Sequence, residues 1–229
     1  MNLKNQKSHI QKIESYIEIR KKDYYENIYK FFKEKKISSV IDVGGATGDF
    51  AFHGPENIKF LSTDISKDLI KIAKETRSKK NINFMVDDIL KTSIKEKFEA
   101  VLMLGTLATI SNLSAVLKEL CNLSSKYILI HSCINRYEFD TLISHKRSSE
   151  SNENYRIFNI FSFKSLETEL MINNFKVIKL EKFKMKNTLK QVDSPTRLTN
   201  YHVDINGEKS LINQIGLILD EYLIIAKKN

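Results

Sequence analysis

The sequence of 229 residues has no tryptophan and only two cysteines, two prolines and seven glycines. The cysteines, Cys121 and Cys133, give neither a disulfide framework nor the ligand spacing of a zinc site. No run approaches the roughly 20 apolar residues that a membrane helix needs. The N-terminal dozen residues carry charge but lack the apolar segment of a secretory signal. These absences predict a globular protein in the cytoplasm, with no membrane partner.

Arginine is scarce as well, although the formal net charge is +9. Lysine outnumbers arginine by 31 to 6, and asparagine and isoleucine are abundant, which is typical of an AT-rich genome. A basic balance is common in proteins that bind nucleic acid or an anionic substrate. Arginine, however, supplies the bidentate contacts of most nucleic-acid surfaces. We therefore interpret the charge first as a contribution to solubility, then as attraction for an anionic small substrate, and third as a nucleic-acid surface.

Short apolar runs alternate with amphipathic stretches along the chain. The runs suit strands that are buried on both faces of a parallel sheet, and they lie at 40–43, 60–63, 82–86, 100–104, 127–130, 175–180 and 222–226. Helical periodicity predicts helices over 8–36, from a cap at Ser66 through Lys74, over 113–120 and over 163–170. This alternation predicts an α/β fold with a parallel sheet that is covered by helices on both faces.

Two segments interrupt the alternation, one over 133–161 and the other over 184–218. The first is polar and is predicted to be irregular. The second contains Asn206-Gly207 between alternating residues, which predicts a β-hairpin. Both segments follow the carboxyl ends of predicted strands, where ligands bind in open α/β sheets. The predicted organisation is one domain over 1–229, with N-terminal helices over 1–37, a core over 38–132 and the two segments as cap inserts.

The glycines themselves are concentrated, because three of them lie within five residues of the stretch VIDVGGATGDF, which begins at Val40. A glycine-rich turn between a strand and a helix lets backbone N–H groups approach a ligand closely. No Lys-Ser or Lys-Thr follows Gly48, so the turn does not have the spacing of a P-loop. Gly44, Ala46 and Gly48 fall at i, i+2 and i+4, which also differs from the G-x-G-x-x-G fingerprint of nicotinamide cofactors.

With Asp42 two positions before Gly44, the stretch resembles motif I of the class I S-adenosylmethionine-dependent methyltransferases, D/E-x-G-x-G-x-G. The sequence departs from that motif at Ala46, which replaces the middle glycine, and Gly45 stands beside it. Alanine is the smallest possible replacement, so it narrows the approach of a cofactor without preventing it.

Three further segments resemble the same family and follow in the expected order: FLSTDIS over 60–66, FMVDDIL over 84–90 and FEAVLMLGTLATI over 98–110. The resemblance covers about 38–183 and the final strand. It implies a seven-stranded Rossmann-like sheet, with the last strand inserted antiparallel between the fifth and the sixth. A nicotinamide-binding domain would share an acid at Asp64 but would not require an acid followed by a hydrophobic residue in the second segment.

The resemblance implies S-adenosylmethionine as the cofactor and assigns roles to single residues. Asp64 would accept the ribose hydroxyls, Asp88 would contact the adenine amino group, and the residue after Asp88 would line the adenine face. The segment at the end of the fourth strand would pass under the sulfonium. The implied cofactor-binding residues are Asp42, Gly44, Gly45, Ala46, Asp64, Ile65, Asp88, Ile89, Leu104 and Gly105.

The fourth-strand segment also bears on the methyl acceptor. Amino-directed nucleic-acid enzymes of the family carry Asn/Asp-Pro-Pro-Tyr/Phe after this strand, and metal-dependent catechol-type enzymes carry an Asp; this sequence has LGTL over 104–107. We therefore predict no metal, and O-methylation of a small polar acceptor such as a nucleotide-linked sugar or glycan precursor. The 198–219 stretch weakly resembles methyltransferases found with bacterial surface-polysaccharide genes. An RNA methyltransferase and a non-catalytic cofactor-binding module remain the alternatives.

An alcohol acceptor calls for a general base, and histidine is the usual one. His131 closes the predicted fifth strand, and His202 lies in the predicted hairpin. Asp204 falls on the same face as His202 at a period of two and would orient its ring. His145 is predicted to lie on the solvated surface, and nothing in the sequence activates Cys133 as a nucleophile. The sequence indicates no oligomeric state.

Overall fold

The computed structural model describes Ile17 and residues 19–146, 155–186, 188–191, 200–213 and 216–229. These residues form two compact units: the first comprises the chain up to Leu104 together with Glu119–Leu129, and the second comprises Gly105–Lys118 and Ile130–Asn229. No helix within the described ranges is long and apolar enough to cross a membrane. The prediction of one domain with two cap inserts stays a prediction.

The first unit contains a parallel sheet with the strand order β3-β2-β1-β4. The strands are β1 (Ser39–Val43), β2 (Lys59–Asp64), β3 (Ile82–Val86) and β4 (Phe98–Leu104). The helices are α1 (Tyr25–Lys35), α2 (Asp49–His53) and α3 (Lys67–Thr76), and a 3₁₀ turn covers Ile89–Lys91. The carboxyl ends of these strands therefore meet at one edge of the sheet.

The apolar runs and the helix cap of the sequence produce these elements. Val40 and Ile41 of β1 have no exposed surface, as expected for a strand that is covered on both faces. The side chain of Ser66 accepts a hydrogen bond from the Leu69 N–H at 3.4 Å, which caps α3 as the sequence predicts. The apolar side of α3, including Ile70, is buried.

The prediction of one helix over 8–36 is wrong over 19–24. Ile17 is helical, but residues 19–24 are irregular or form a turn, and the helix α1 begins only at Tyr25. The apolar stripe that reaches Ile17 meets Arg20 and Lys21 at its next positions, so no continuous apolar face joins the two parts. Residues 8–16 lie outside the described ranges.

The second unit contains the remaining strands and helices. They are α4 (Leu113–Leu123), β5 (Ser124–Asn135), β6 (Thr141–His145), β7 (Arg156–Ser162), α5 (Phe163–Ile172), β8 (Phe175–Lys182), β9 (Asn200–Ile205), β10 (Glu208–Asn213) and β11 (Glu221–Lys228), with α4 and β5 continuing into the first unit. A 3₁₀ turn covers Leu107–Thr109. The strand β11 lies between β5 and β8 and runs antiparallel to β8, as the resemblance implies.

Most of the described residues of the segment over 133–161 lie in strands, which corrects the prediction of an irregular segment; residues 147–154 lie outside the described ranges. The strand β5 extends to Asn135, and β6 and β7 pair antiparallel beyond it. The run RIFNIF within β7 is rich in β-branched and aromatic residues, which favour strands. Asn159 within this run is fully buried and donates to the Ile110 carbonyl at 2.9 Å. The prediction was therefore wrong because it was based on the polar composition of the segment alone.

The hairpin of β9 and β10 is confirmed. Asn206 and Gly207 both have positive φ, at 54° and 79°, as a two-residue hairpin turn requires. The Asp204 carboxylate accepts a hydrogen bond from the Gly207 N–H at 2.8 Å and stabilises the turn. The α/β class with central parallel strands is likewise confirmed, whereas the predicted count of seven strands is not, because β6 and β7 add to the sheet.

Candidate functional site

The glycine turn of the first unit joins β1 to α2 in left-handed backbone conformations. Gly44, Ala46 and Gly48 have φ values of 72°, 50° and 76°. Glycine adopts this region freely, whereas an alanine there costs about 1–2 kcal/mol. The departure from the family motif at Ala46 is therefore a strained position that its surroundings must stabilise.

Asp64 supplies that stabilisation at the end of β2. Its Oδ2 accepts a hydrogen bond from the Ala46 N–H at 3.0 Å, and its Oδ1 accepts one from the Ser66 N–H at 2.9 Å. The Asp64 carbonyl accepts from the Asp87 N–H at 3.1 Å, which ties the loop after β3 to the same place. Each carboxylate oxygen can accept about two hydrogen bonds, so Asp64 retains capacity for hydroxyl donors.

The other predicted adenosine contacts lie next to Asp64. Ile65 is 68 % exposed. The Asp88 carboxylate is half-buried and accepts from the Leu90 N–H at 3.1 Å. Ile89 is buried at 7 % exposure. The exposed apolar surface beside the two acids therefore comes from Ile65 rather than from Ile89.

Asp42 lies beneath the glycine turn and is 2 % exposed. Burial raises the pKa of its carboxyl from 3.8 to about 7; Lys22 opposes the rise, and the negative charges of Asp64 and Asp49 add to it. Ser62 is its partner in the register of β1 and β2. Asp42 is thus a buried acid whose proton stays on in the folded protein under mildly acidic conditions.

Asp42 should make the stability fall with rising pH. The folded state holds this proton up to about pH 7, whereas the unfolded chain loses it near its ordinary value of 3.8, so unfolding becomes easier between these values. Asp42→Asn imitates the protonated acid and removes this dependence. We expect the thermal midpoint of the variant to match the wild type below about pH 3.8 and to exceed it by an amount that grows between pH 3.8 and about pH 7. A difference that stays constant over this range would contradict the assignment, and Asp68→Asn serves as the exposed control.

Gly45 is required by space rather than by its φ angle. A β-carbon at this position would collide with Ser62 Oγ and would lie 2.6 Å from Asp42 Oδ2. Gly45→Ala should therefore lower the free energy of unfolding by about 1–3 kcal/mol, measured by urea denaturation.

Ser62→Ala provides the test of that cause. The Ser62 hydroxyl is buried and has no hydrogen-bond partner among the described residues, so its removal should cost little stability. In the double variant the loss caused by Gly45→Ala should be partly recovered. Strictly additive losses would show that the collision is not the cause.

A buried ion pair anchors the helix after the turn, and sequence reasoning missed it. Arg77 is fully buried, and its Nε lies 3.2 Å from Asp49 Oδ1 at the start of α2. Its Nη2 donates to the Ile17 carbonyl at 3.0 Å. Arg77 and Asp49 are distant in the sequence and belong to no common motif, so no local signal identifies the pair.

The fourth-strand segment ends in a glycine with an open face. Leu104 closes β4, and Gly105 follows with φ at 91°. Apart from Gly105 and its two chain neighbours, no described heavy atom lies within 4 Å of the point where a β-carbon of Gly105 would stand. The Gly105 N–H donates to the His131 carbonyl at 2.7 Å. The backbone of the candidate base His131 therefore lies directly beside this glycine within the second unit.

The His131 side chain is 3 % exposed and has aromatic and acidic neighbours. Its ring packs edge-on against Phe183 at 5.2 Å, and its Nε2 lies 4.0 Å from Glu221 Oε2. A carboxylate at this distance stabilises positive charge that develops on the imidazole. Burial, then the charges of Glu221 and Asp220, raise the pKa of the nearby Cys133 thiol to about 12, which agrees with the prediction that Cys133 is no nucleophile.

His202 does not have the surroundings that the sequence suggests. Its Nδ1 accepts a hydrogen bond from the Leu189 N–H at 2.9 Å, so the proton of the neutral ring sits on Nε2. Asp204, expected to orient the ring, instead accepts from Gly207. Partial burial and Lys209 lower the pKa of His202 below its ordinary value. In this arrangement the His202 ring has no nitrogen lone pair to offer as a base.

A cavity of about 630 Å³ lies in the second unit, and the sequence did not reveal it. His145, predicted to lie on the solvated surface, is half-buried and contributes to its wall. The lining residues are Thr109, His145, Tyr155, Arg156, Ile157, Phe158, Asn200 and Asn213. The described ranges hold no group of three or more His, Cys, Asp or Glu residues that could bind a metal ion.

The residues at the carboxyl edge of the first unit fit an adenosyl group. Asp64 and the loop bearing Asp88 are joined by a backbone hydrogen bond, and Ile65 exposes apolar surface beside them. Carboxylates accept hydrogen bonds from ribose hydroxyls and from an adenine amino group, and an apolar side chain suits the face of a base.

Comparisons with known proteins agree with this chemistry. The family model described as a methyltransferase domain matches residues 34–194. No curated protein matches the chain in sequence. A structure of an S-adenosylmethionine-dependent methyltransferase from Clostridium acetobutylicum is 11 % identical, with a TM-score of 0.58 and 100 % of both chains covered.

Two further structures similar to this chain contain bound ligands. Magnesium protoporphyrin IX methyltransferase from Synechocystis, with bound SAH, is 11 % identical over 100 % of this chain and 89 % of its own, with a TM-score of 0.55. The 1,6-didemethyltoxoflavin-N1-methyltransferase from Burkholderia thailandensis, with its substrate and S-adenosylhomocysteine, is 12 % identical over 91 % and 79 %, with a TM-score of 0.57. At these identities the neighbours show the fold, and the family model, which spans most of the chain, shows the family. The chain therefore belongs to the methyltransferase-domain family, and it has the fold of the S-adenosylmethionine-dependent methyltransferases that it resembles.

Proposed function

We propose that this enzyme methylates an oxygen of a small polar acceptor, such as a nucleotide-linked sugar or a glycan precursor. The observation that carries the proposal is the cavity of about 630 Å³ in the second unit. Its volume lies within the range of small-molecule sites, and its lining offers several hydrogen-bonding side chains. Two of the structural neighbours are named for small-molecule acceptors, although one of those names specifies a nitrogen.

In this proposal the first unit holds the cofactor. Asp64 accepts hydrogen bonds from the ribose hydroxyls while its remaining lone pairs bind the N–H groups of Ala46 and Ser66. Asp88 accepts from the adenine amino group, and Ile65 contacts the base. When bound, S-adenosylmethionine supplies a methyl group that the sulfonium charge has already activated. The protein residues therefore contribute alignment and exclusion of water.

His131 is the proposed general base, and His202 is the weaker candidate. His131 accepts the proton of the acceptor hydroxyl, and Glu221, 4.0 Å from its Nε2, stabilises the resulting imidazolium. His202 is tied to Leu189 through the nitrogen that would have to be free for that role. This assignment favours an alcohol acceptor, because an alcohol needs a base to become a good nucleophile.

The direct test is methyl transfer to a panel of nucleotide-linked sugars. We expect S-adenosylhomocysteine to accumulate only when an acceptor is present, and mass spectrometry to show one added methyl group on an oxygen. Asp64→Ala protein serves as the negative control. Transfer to nitrogen or carbon, or cofactor binding without transfer to any member of the panel, would count against the proposed acceptor class.

An RNA methyltransferase is the second candidate, motivated by the net charge of +9 and the lysines over 176–190. Two of these lysines have acidic partners: Lys182 lies 2.7 Å from Asp220, and Lys179 lies 2.7 Å from Glu181. Filter binding over a salt series separates the candidates, because phosphate contacts are lost steeply with salt. No RNA binding at low salt would end this option.

A non-catalytic module would bind S-adenosylhomocysteine and transfer no methyl group to any acceptor.

A further inference from the structure

Two pairs of side chains converge on the cavity of the second unit. His145 and Arg156 stand directly opposite each other in the antiparallel ladder of β6 and β7. Asn200 and Asn213 stand opposite each other where the ladder of β9 and β10 ends. Directly opposed residues of an antiparallel pair present their side chains on the same face. All four residues line the one cavity, so two unrelated hairpins contribute one basic pair and one amide pair to its wall.

The described lining of the cavity contains the positively charged Arg156, together with His145, and no aspartate or glutamate. The Nδ1 atom of His145 is buried and has no hydrogen-bond partner among the described residues. A buried polar atom of this kind costs free energy unless a ligand or water binds it. The guanidinium of Arg156 presents a planar set of donors that matches the geometry of a phosphate.

The rest of the wall suits a polar ring attached to that anion. Tyr155 is 55 % exposed, so its ring face is accessible for stacking. The side-chain oxygen of Asn213 accepts from the Leu217 N–H at 3.0 Å, which fixes the orientation of its amide. Thr109 donates its hydroxyl proton to the Thr106 carbonyl at 2.8 Å, which leaves the hydroxyl oxygen as an acceptor. These groups can bind hydroxyls of a sugar or edges of a base.

We propose that this cavity binds a phosphorylated small molecule, with the phosphoryl group held by the cross-strand pair of His145 and Arg156 and the attached ring held by Tyr155 and the two asparagines. The inference rests on the proposed function, because it names the acceptor as a phosphoryl-bearing one.

Uridine diphosphate is the probe, and uridine is its uncharged counterpart; both are titrated into the full-length protein by calorimetry. We expect the diphosphate to bind at least tenfold more tightly than the nucleoside, and Arg156→Gln to weaken it by about 10- to 100-fold. Arg156→Lys keeps the charge but loses the fork of donors, so it should give an intermediate affinity. His145→Gln should also weaken the diphosphate. Arg136→Gln removes an exposed arginine outside the cavity and should leave the affinity unchanged.

A titration with S-adenosylhomocysteine on the same samples separates the two proposals and shows that each variant is folded. If S-adenosylhomocysteine binds but uridine diphosphate binds no better than uridine, the proposed phosphoryl site is wrong and the methyltransferase proposal stands. If Arg136→Gln weakens the diphosphate as much as Arg156→Gln, binding is nonspecific attraction to a basic protein and the inference is also wrong. If the diphosphate binds as expected but no acceptor in the panel is methylated, the cavity assignment holds and the proposed function fails.

Discussion

Asp64→Ala will weaken the binding of S-adenosylhomocysteine by at least about a hundredfold. Each hydrogen bond from a ribose hydroxyl to a carboxylate contributes about 1.5–3 kcal/mol, so the loss of two corresponds to at least that factor. The substitution also removes the acceptor of the Ala46 N–H, at 3.0 Å, and with it the interaction that stabilises a left-handed alanine. The variant therefore loses the hydrogen-bond acceptor for the ribose, and its glycine turn is less well ordered.

Titration calorimetry measures this effect, and two variants define its cause. Asp68→Ala removes an exposed acid in the first turn of α3 and should leave the affinity for S-adenosylhomocysteine unchanged. Asp64→Asn keeps one acceptor oxygen, so its affinity for S-adenosylhomocysteine should lie between those of the wild type and the alanine variant. An Asp64→Ala protein that is folded by circular dichroism and binds with unchanged affinity would show that the ribose lies elsewhere.

His131→Asn will slow methyl transfer by about 10²- to 10⁴-fold, the usual contribution of a general base. The affinity for S-adenosylhomocysteine should stay the same, because the proposed ribose and adenine contacts of Asp64, Asp88 and Ile65 do not involve the His131 side chain. The wild-type rate should rise with pH as the imidazole loses its proton, and the variant should lack this limb of the profile. A reduced rate that keeps the wild-type pH profile would reassign His131 to a structural role.

His202→Asn is the matched control for that experiment. An asparagine side-chain oxygen can still accept a hydrogen bond from the Leu189 N–H, so the hairpin should keep its structure. We expect a turnover rate within a few-fold of the wild type. If His202→Asn loses as much activity as His131→Asn, the hairpin histidine takes part in the reaction and our preference for His131 is wrong.

The parts of the fold that were predicted correctly from the sequence are those that depend on local sequence patterns. The runs that form β1 to β4 are apolar over consecutive residues because both faces of those strands are buried. Ser66 and Asn206-Gly207 identify a helix start and a hairpin turn through their own backbone chemistry. The motifs predicted that Asp64 ends one strand and that Asp88 follows the next, and the structure places Asp64 at the end of β2 and Asp88 after the neighbouring β3.

Pairs that are distant in the chain account for what the sequence did not reveal. Nothing near Arg77 indicates that it is buried against Asp49, and nothing near His145 indicates that Arg156 stands opposite it. The helix predicted over 8–36 is wrong over 19–24, where its apolar stripe is interrupted at Arg20, and this interruption is visible in the sequence. The prediction that the segment over 133–161 is irregular was wrong because it rested on the polar centre of the segment and overlooked the strand-forming run that follows.

The two hydrogen bonds from loop amides to Asp64 also bear on the thermodynamics of recognition. They hold the turn after β1 and the loop after β2 in place independently of any ligand. A surface that is already ordered loses little conformational freedom on complex formation. The adenosyl end of the cofactor should therefore associate rapidly and with a small entropic penalty, as a rigid receptor does, instead of waiting for the loop to rearrange.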